Sequence, residues 1–160
     1  MKFVPSIHEN LKAQQVPKIP QKIINKIIEH AQDALPNEAC GLISQSKDKS
    51  SMQSNCVTNM AKSPYRYEMS PIEMLRLEQD REKNNDDLFA IYHSHVASPA
   101  YPSPTDVRMA FFPPGETNNP PMFPNTYYIL VSLANNVPEV RAFFIRTGGE
   151  IEEEIIEVTT

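Results

Sequence analysis

Leu88-Phe89-Ala90-Ile91-Tyr92-His93-Ser94-His95, followed after seven residues by Ser103-Pro104-Thr105-Asp106, is the stretch on which the reading of this chain turns. Residues 88–92 form an unbroken apolar and aromatic run, the pattern of a buried strand, which delivers His93-Ser94-His95 at its end. Side chains alternate faces along a strand, so His93 and His95 point the same way and Ser94 the other. Two imidazoles are thereby brought within reach of one ion. Ser103-Pro104-Thr105-Asp106 has the spacing of a helix start, with serine as the cap, proline at the first helical position and aspartate at the third. The helix opened there fails before the Pro113-Pro114 pair.

Working upstream, Ile23, Ile24, Ile27, Ile28, Ala31 and Leu35 recur at helical spacing from Pro20, and Pro36 ends the run. Residues 40–44 read as a short apolar strand and 53–58 as a second, joined by the polar turn 46–51. Ser70-Pro71-Ile72-Glu73 repeats the capping pattern, with Met69 and Met74 placed for a hydrophobic staple, and predicts a helix to about Lys83. Downstream, 113–125 is a proline-rich loop, and strands are predicted over 127–133 and 140–146 with a turn at Asn135-Asn136. Gly148-Gly149 reads as a hairpin turn into 151–158, completing a C-terminal meander. The mixture is that of an α/β chain of the α+β type.

Length and composition agree with one domain. The chain has 160 residues, 40% apolar and 22% charged, enough to bury a sizeable core. A formal charge of −5 gives no basis for gripping phosphate backbones, so nucleic acid is excluded as the main partner. No run approaches the length needed to span a bilayer, and residues 1–19 lack the apolar centre of a signal peptide. They are read as an N-terminal extension, with the domain proper over 20–160. Two cysteines, Cys40 and Cys56, without CxxC spacing, build neither a disulfide framework nor a structural zinc site and fit a reducing cytoplasm.

The chemistry gathers where the histidine strand meets the third helix. Asp106 carries two readings, first-turn capping residue and third metal ligand, and they are compatible. A capping serine accepts with a lone pair and keeps its hydroxyl hydrogen for another acceptor. Two imidazoles and one carboxylate would leave one position open on a four-coordinate ion, the arrangement of catalytic rather than structural zinc. A base is still required to move a proton to a leaving amine. Glu38, just before the strand at Cys40, is the candidate, but spacing alone leaves it open between that role and a solvated loop glutamate. Cys40 reads as a small core residue, not a nucleophile.

The His93-x-His95, Ser103-x-x-Asp106 pattern, with glutamate upstream in Asn37-Glu38-Ala39-Cys40-Gly41-Leu42, resembles the JAMM (MPN-plus) zinc metallopeptidases. The downstream part arises in shuffled sequences of this composition on the order of once in several thousand trials. NEACGLI, NMAKSPYRYEMSP, YHSHVASPAYPSPTDVRMA and YYILVSLANNVPEVRAFFI are similar to the small bacterial branch that includes the CysO-cysteine peptidases. The resemblance implies a curved mixed sheet flanked by helices and one zinc ion per chain held by His93, His95 and Asp106. It further implies Glu38 as general base and Ser103 as oxyanion donor. Arg66 and Tyr67, in the SPYRYE stretch, are read separately as candidate substrate contacts, with an ordinary strand-to-helix connection as the alternative. The implied substrate is a small ubiquitin-like sulfur-carrier protein from whose C-terminus cysteine or a short peptide is released.

Two other functions stay open at this point. A deconjugating isopeptidase acting on lysine linkages would use the same site, and a non-catalytic scaffold of the same fold would lack some ligands. A zinc deaminase is disfavoured because His-x-Glu and Pro-Cys-x-x-Cys elements are absent from the sequence. Val96 stands where bacterial relatives usually carry proline, and the 113–125 loop looks longer than is typical. Both departures bear on the substrate groove or on an oligomer contact, a homodimer included, rather than on the proposed ligands.

Overall fold

The structure is a computed structural model, described over residues 16–160. Its elements run β1 (Lys18–Pro20), α1 (Gln21–Asp33), β2 (Cys40–Ser46), β3 (Met52–Val57), α2 (Pro71–Asn84), β4 (Asp86–His95), α3 (Pro104–Met109), β5 (Tyr127–Ser132), β6 (Glu139–Ile145), β7 (Ile151–Glu154) and β8 (Glu157–Thr159). A 3-10 turn at Thr147–Gly149 links β6 to β7, with Gly148 and Gly149 both at positive φ, where glycine carries no Cβ penalty.

Six strands form one mixed sheet in the order β3-β2-β4-β5-β6-β7. Only β4 and β5 pair parallel within it, and the loop and helix between them supply the crossover such a pair needs. The buried run at 88–92 is explained by position: β4 lies inside the sheet, between β2 and β5, and is covered on both faces. On one face Ala90, Tyr92, Ile129, Val131 and Ala142 pack under the α1 stripe Ile23, Ile24, Ile27 and Ala31. On the other, Leu42, Ile91, Tyr128 and Ile145 pack with Ala110 and Phe111 and with Met74 and Leu77 of α2. Period two therefore assigns Tyr92 to the α1 face and His93 and His95 to the opposite one.

Two contacts fix how β4 sits. A Cβ at Gly41 would run into the Tyr92 ring and the Asn55 carbonyl, so only glycine lets that ring cross β2. The Tyr92 hydroxyl then reaches His30 Nδ1 of α1 at 2.8 Å. α2 is anchored at its start by Glu73, whose carboxylate accepts from the Thr58 N–H (2.7 Å) and hydroxyl (2.6 Å) at the end of β3. Ser70 caps the same helix by accepting from the Glu73 N–H at 3.5 Å, so the serine-proline start is observed with Glu73 turned outward instead of back to the cap.

The C-terminal meander is only partly as expected. β7 pairs antiparallel with β6, from Ile145↔Ile151 to Ala142↔Glu154. The chain then leaves the sheet at Ile155 and Ile156, and β8 pairs parallel with β1. That pairing joins residues about as far apart in sequence as the chain allows, and local periodicity carries no trace of it. β4 also starts earlier than the apolar run, because Asp86 and Asp87 pair with the polar end of β2 at Ser46 and Gln45. Ile19 of β1 is fully buried with the α1 stripe, so the core draws on residues just before position 20. The first fifteen residues, most of the expected extension, lie outside the described residues.

Candidate metal centre

The centre is assembled at the C-terminal end of β4. Antiparallel pairing sets Cys40 opposite His93, and parallel pairing sets Ser132 beside His95. Both histidines are buried. Their Nε2 atoms stand 3.2 Å apart, and each is 3.2 Å from Asp106 Oδ2. An equilateral triangle with 3.2 Å edges is one face of a tetrahedron whose centre lies about 2.0 Å from each corner, the distance at which zinc takes nitrogen and oxygen ligands.

Proton placement agrees with that geometry. His95 Nδ1 is 2.7 Å from the Pro99 carbonyl, which can only accept, so Nδ1 carries the hydrogen and Nε2 presents a lone pair to the triangle. A lone pair at 3.2 Å from a carboxylate oxygen is repulsive unless a cation or proton lies between them. Burial opposes charging of His95, but the bonds to Asp106 and to the Pro99 carbonyl outweigh it and raise its pKa above the ordinary value. Burial likewise opposes the Asp106 carboxylate, yet the facing His93 and His95 rings and the Ser103 N–H hold it well below the usual range. The group is built for positive charge at its centre, and its residues fit a metal ion.

Asp106 is oriented by the helix it starts. Its Oδ2 accepts from the Ser103 N–H at 2.8 Å, and Ser103 Oγ accepts from the Asp106 N–H at 3.1 Å, a reciprocal capping box. The oxygen that caps α3 is the one that faces both histidines. Capping and the candidate ligand role are therefore met by a single rotamer, and the Ser103 hydroxyl hydrogen is not consumed by the cap. Ser132 Oγ donates to the Ser98 carbonyl at 2.6 Å, holding the loop between His95 and Ser103.

Glu38 joins from β2. One register step past Cys40↔His93, Ser94 N–H donates to the Ala39 carbonyl at 2.9 Å, while the Ala39 N–H turns to Ser94 Oγ at 2.7 Å. Ser94 thus pins the strand ends just past the last paired residues, and Glu38 is the next residue out from Ala39. Glu38 is 4% exposed, and its Oε2 has no protein partner among the described residues. Burial pushes its pKa up to about 7, with His95 pulling it down and Asp106 pushing it further up. A buried carboxyl with its pKa near neutrality can take up and release a proton close to the candidate metal triangle.

Tyr67 and Arg66 part company in the structure. The Tyr67 ring lies on His93, centroids 4.5 Å apart and tilted by 30°, and burial keeps its phenol un-ionised, with its pKa well above the ordinary value. His93 Nδ1 has no hydrogen-bond partner among the described residues, so the ring is oriented by this stacking together with the contacts of its Nε2. Arg66 is exposed, 3.9 Å from Glu68. Burial pushes the Cys40 thiol up to about 12, so it carries no thiolate at neutral pH. Sequence reasoning passed over Pro99, which acts through its carbonyl, and Asn59, whose side chain donates to the Glu38 carbonyl at 3.0 Å. An asparagine directly after a strand was the available signal for the second.

Comparison with known proteins follows the same lines. Residues 20–146 match the family model described as prokaryotic homologs of the JAB domain. The chain is 30% identical over 135 residues to the CysO-cysteine peptidase of Mycobacterium tuberculosis, covering 83% of this chain and 85% of that one. It is 32% identical over 90 residues to the desampylase of Pyrococcus furiosus, covering 56% and 63%. A solved structure from Desulfitobacterium hafniense superposes with a TM-score of 0.73 at 32% identity, covering 89% of this chain and 92% of that one.

Proposed function

The chain belongs to the family of prokaryotic JAB-domain proteins, the JAMM/MPN fold, and is a hydrolase of that type; from that premise we propose that it is a zinc peptidase acting on a ubiquitin-like protein. The observation that carries this reading is the 3.2 Å triangle of His93, His95 and Asp106, with the buried Glu38 carboxyl near enough to feel the charges of His95 and Asp106. A zinc ion held by those three residues supplies Lewis acidity, polarising a carbonyl oxygen and lowering the pKa of water to about 7. Glu38 takes the proton of the attacking water and delivers it to the leaving nitrogen. Burial, which raises its pKa, favours its holding the proton between the two halves of that transfer. Ser103 directs its free hydroxyl hydrogen to the oxyanion as the carbonyl becomes tetrahedral, a contribution of about 2.7 to 4 kcal/mol for one such donor.

The scissile bond in this reading is the amide at the C-terminus of a small sulfur-carrier protein, with cysteine or a short peptide released. The similarity to a CysO-cysteine peptidase over most of both chains supports that choice. The β3 edge of the sheet, which pairs with no further strand among the described residues, offers backbone groups to an extended tail. Deconjugation of a ubiquitin-like protein from lysine is the second reading, favoured by the desampylase match. A panel of carrier-cysteine, carrier-peptide and lysine-linked conjugates decides between them. Faster turnover of carrier-cysteine supports the first, and turnover confined to lysine linkages replaces it with the second.

A further inference from the structure

We infer that Asn59 is a positioning residue that holds the general base and the ring stacked on His93 in one geometry. The inference rests on Glu38 acting as the base. Asn59 follows β3, and its amide uses its full hydrogen-bonding capacity. Nδ2 donates to the Glu38 carbonyl at 3.0 Å and to the Arg66 carbonyl at 3.1 Å. Oδ1 accepts from the Ala61 N–H and the Glu68 N–H, both at 3.0 Å. Arg66 and Glu68 flank Tyr67, so one amide brackets the residue whose ring lies 4.5 Å from that of His93. The same amide grips Glu38, whose N–H is held separately by the Ser63 carbonyl at 2.9 Å.

The arrangement has a geometric consequence. Glu38 lies beyond the last Cα pairing of β2 with β4, at Cys40↔His93, and its buried Oε2 has no hydrogen-bond partner among the described residues. Its backbone is fixed on one side by the 59–69 loop, and Asn59 is the side chain that both closes that loop and reaches Glu38. Misplacing a reacting group by about 1 Å can cost on the order of 100-fold in rate.

A double-mutant cycle tests this, using zinc-loaded protein and a ubiquitin-like sulfur carrier bearing an amide-linked C-terminal cysteine. Asn59→Ala is expected to lower kcat about 10- to 100-fold with little change in KM. In the Glu38→Gln background the same substitution is expected to lower kcat no further, because the group it positions is already gone. By NMR, the His93 imidazole protons are expected to lose the ring-current shift imposed by Tyr67. Asn59→Asp keeps the two accepted bonds and turns an anion toward the Glu38 and Arg66 carbonyls, so it serves where the alanine variant does not fold and should fail in kcat in the same way. An equal fold-loss in both backgrounds, unchanged kcat and ring-current shift, or unfolding of both variants overturns the inference and leaves Glu38 untouched. Wild-type turnover by Glu38→Gln alone overturns the reading of Glu38 as base, and this inference with it.

Discussion

In the chelated protein the stability of Glu38→Gln relative to wild type is expected to rise with pH through a defined window. Glu38 is 4% exposed and its carboxyl is raised from 4.5 to about 7, chiefly by burial. For an acid whose folded pKa lies above its unfolded one, the fold binds more protons between the two values, so stability falls as pH rises through that window. The span corresponds to roughly 3 kcal/mol at about 1.36 kcal/mol per pH unit. Glutamine has the shape of the protonated acid and does not titrate, so any constant cost of its amide cancels between pH values. Urea unfolding of both proteins in chelator from pH 4 to pH 8 should show the difference growing through pH 4.5 to 7 and level above it, by about 3 kcal/mol in all. A gap independent of pH, or one that favours wild type as pH rises, refutes the reasoning. The result would mark Glu38 as a group kept for chemistry at the expense of stability.

Gly41→Ala should destabilise by about 1 to 3 kcal/mol in urea unfolding, because its Cβ meets the Tyr92 ring and the Asn55 carbonyl at the residue before His93. Ser103→Ala should cost about 1 kcal/mol through the lost cap, and separately lower kcat by about 10²- to 10³-fold, which denaturation and steady-state kinetics measure independently. Ile27→Ala, at the centre of the α1 stripe and fully buried, should cost about 2 to 5 kcal/mol in the unfolding midpoint while the metal centre on the opposite face keeps its affinity.

The parts of this molecule that local pattern specifies were legible in its sequence. The α1 stripe, the buried run of β4 and the serine-proline starts of α2 and α3 are each set by periodicity or capping within a few residues, and the structure bears them out. The facing of His93 and His95 followed from strand alternation alone. What lies across the sheet was not legible in that way. The position of Glu38 depends on β2 pairing with β4 in the Cys40↔His93 register, a contact between segments more than fifty residues apart. The β1 and β8 pairing, the stacking of Tyr67 on His93 and the four bonds of Asn59 are long-range or backbone-mediated in the same sense. Resemblance to a family could point to Glu38, but it could not say what holds it there.

Release of cysteine from a carrier adduct during titration of chelated protein with zinc tests the central claim most directly. Activity should be absent in chelator, rise to a maximum at about one equivalent of zinc, and stay absent in Asp106→Ala, which removes one corner of the 3.2 Å triangle. Release by the chelated protein, or full activity in Asp106→Ala, would contradict the account.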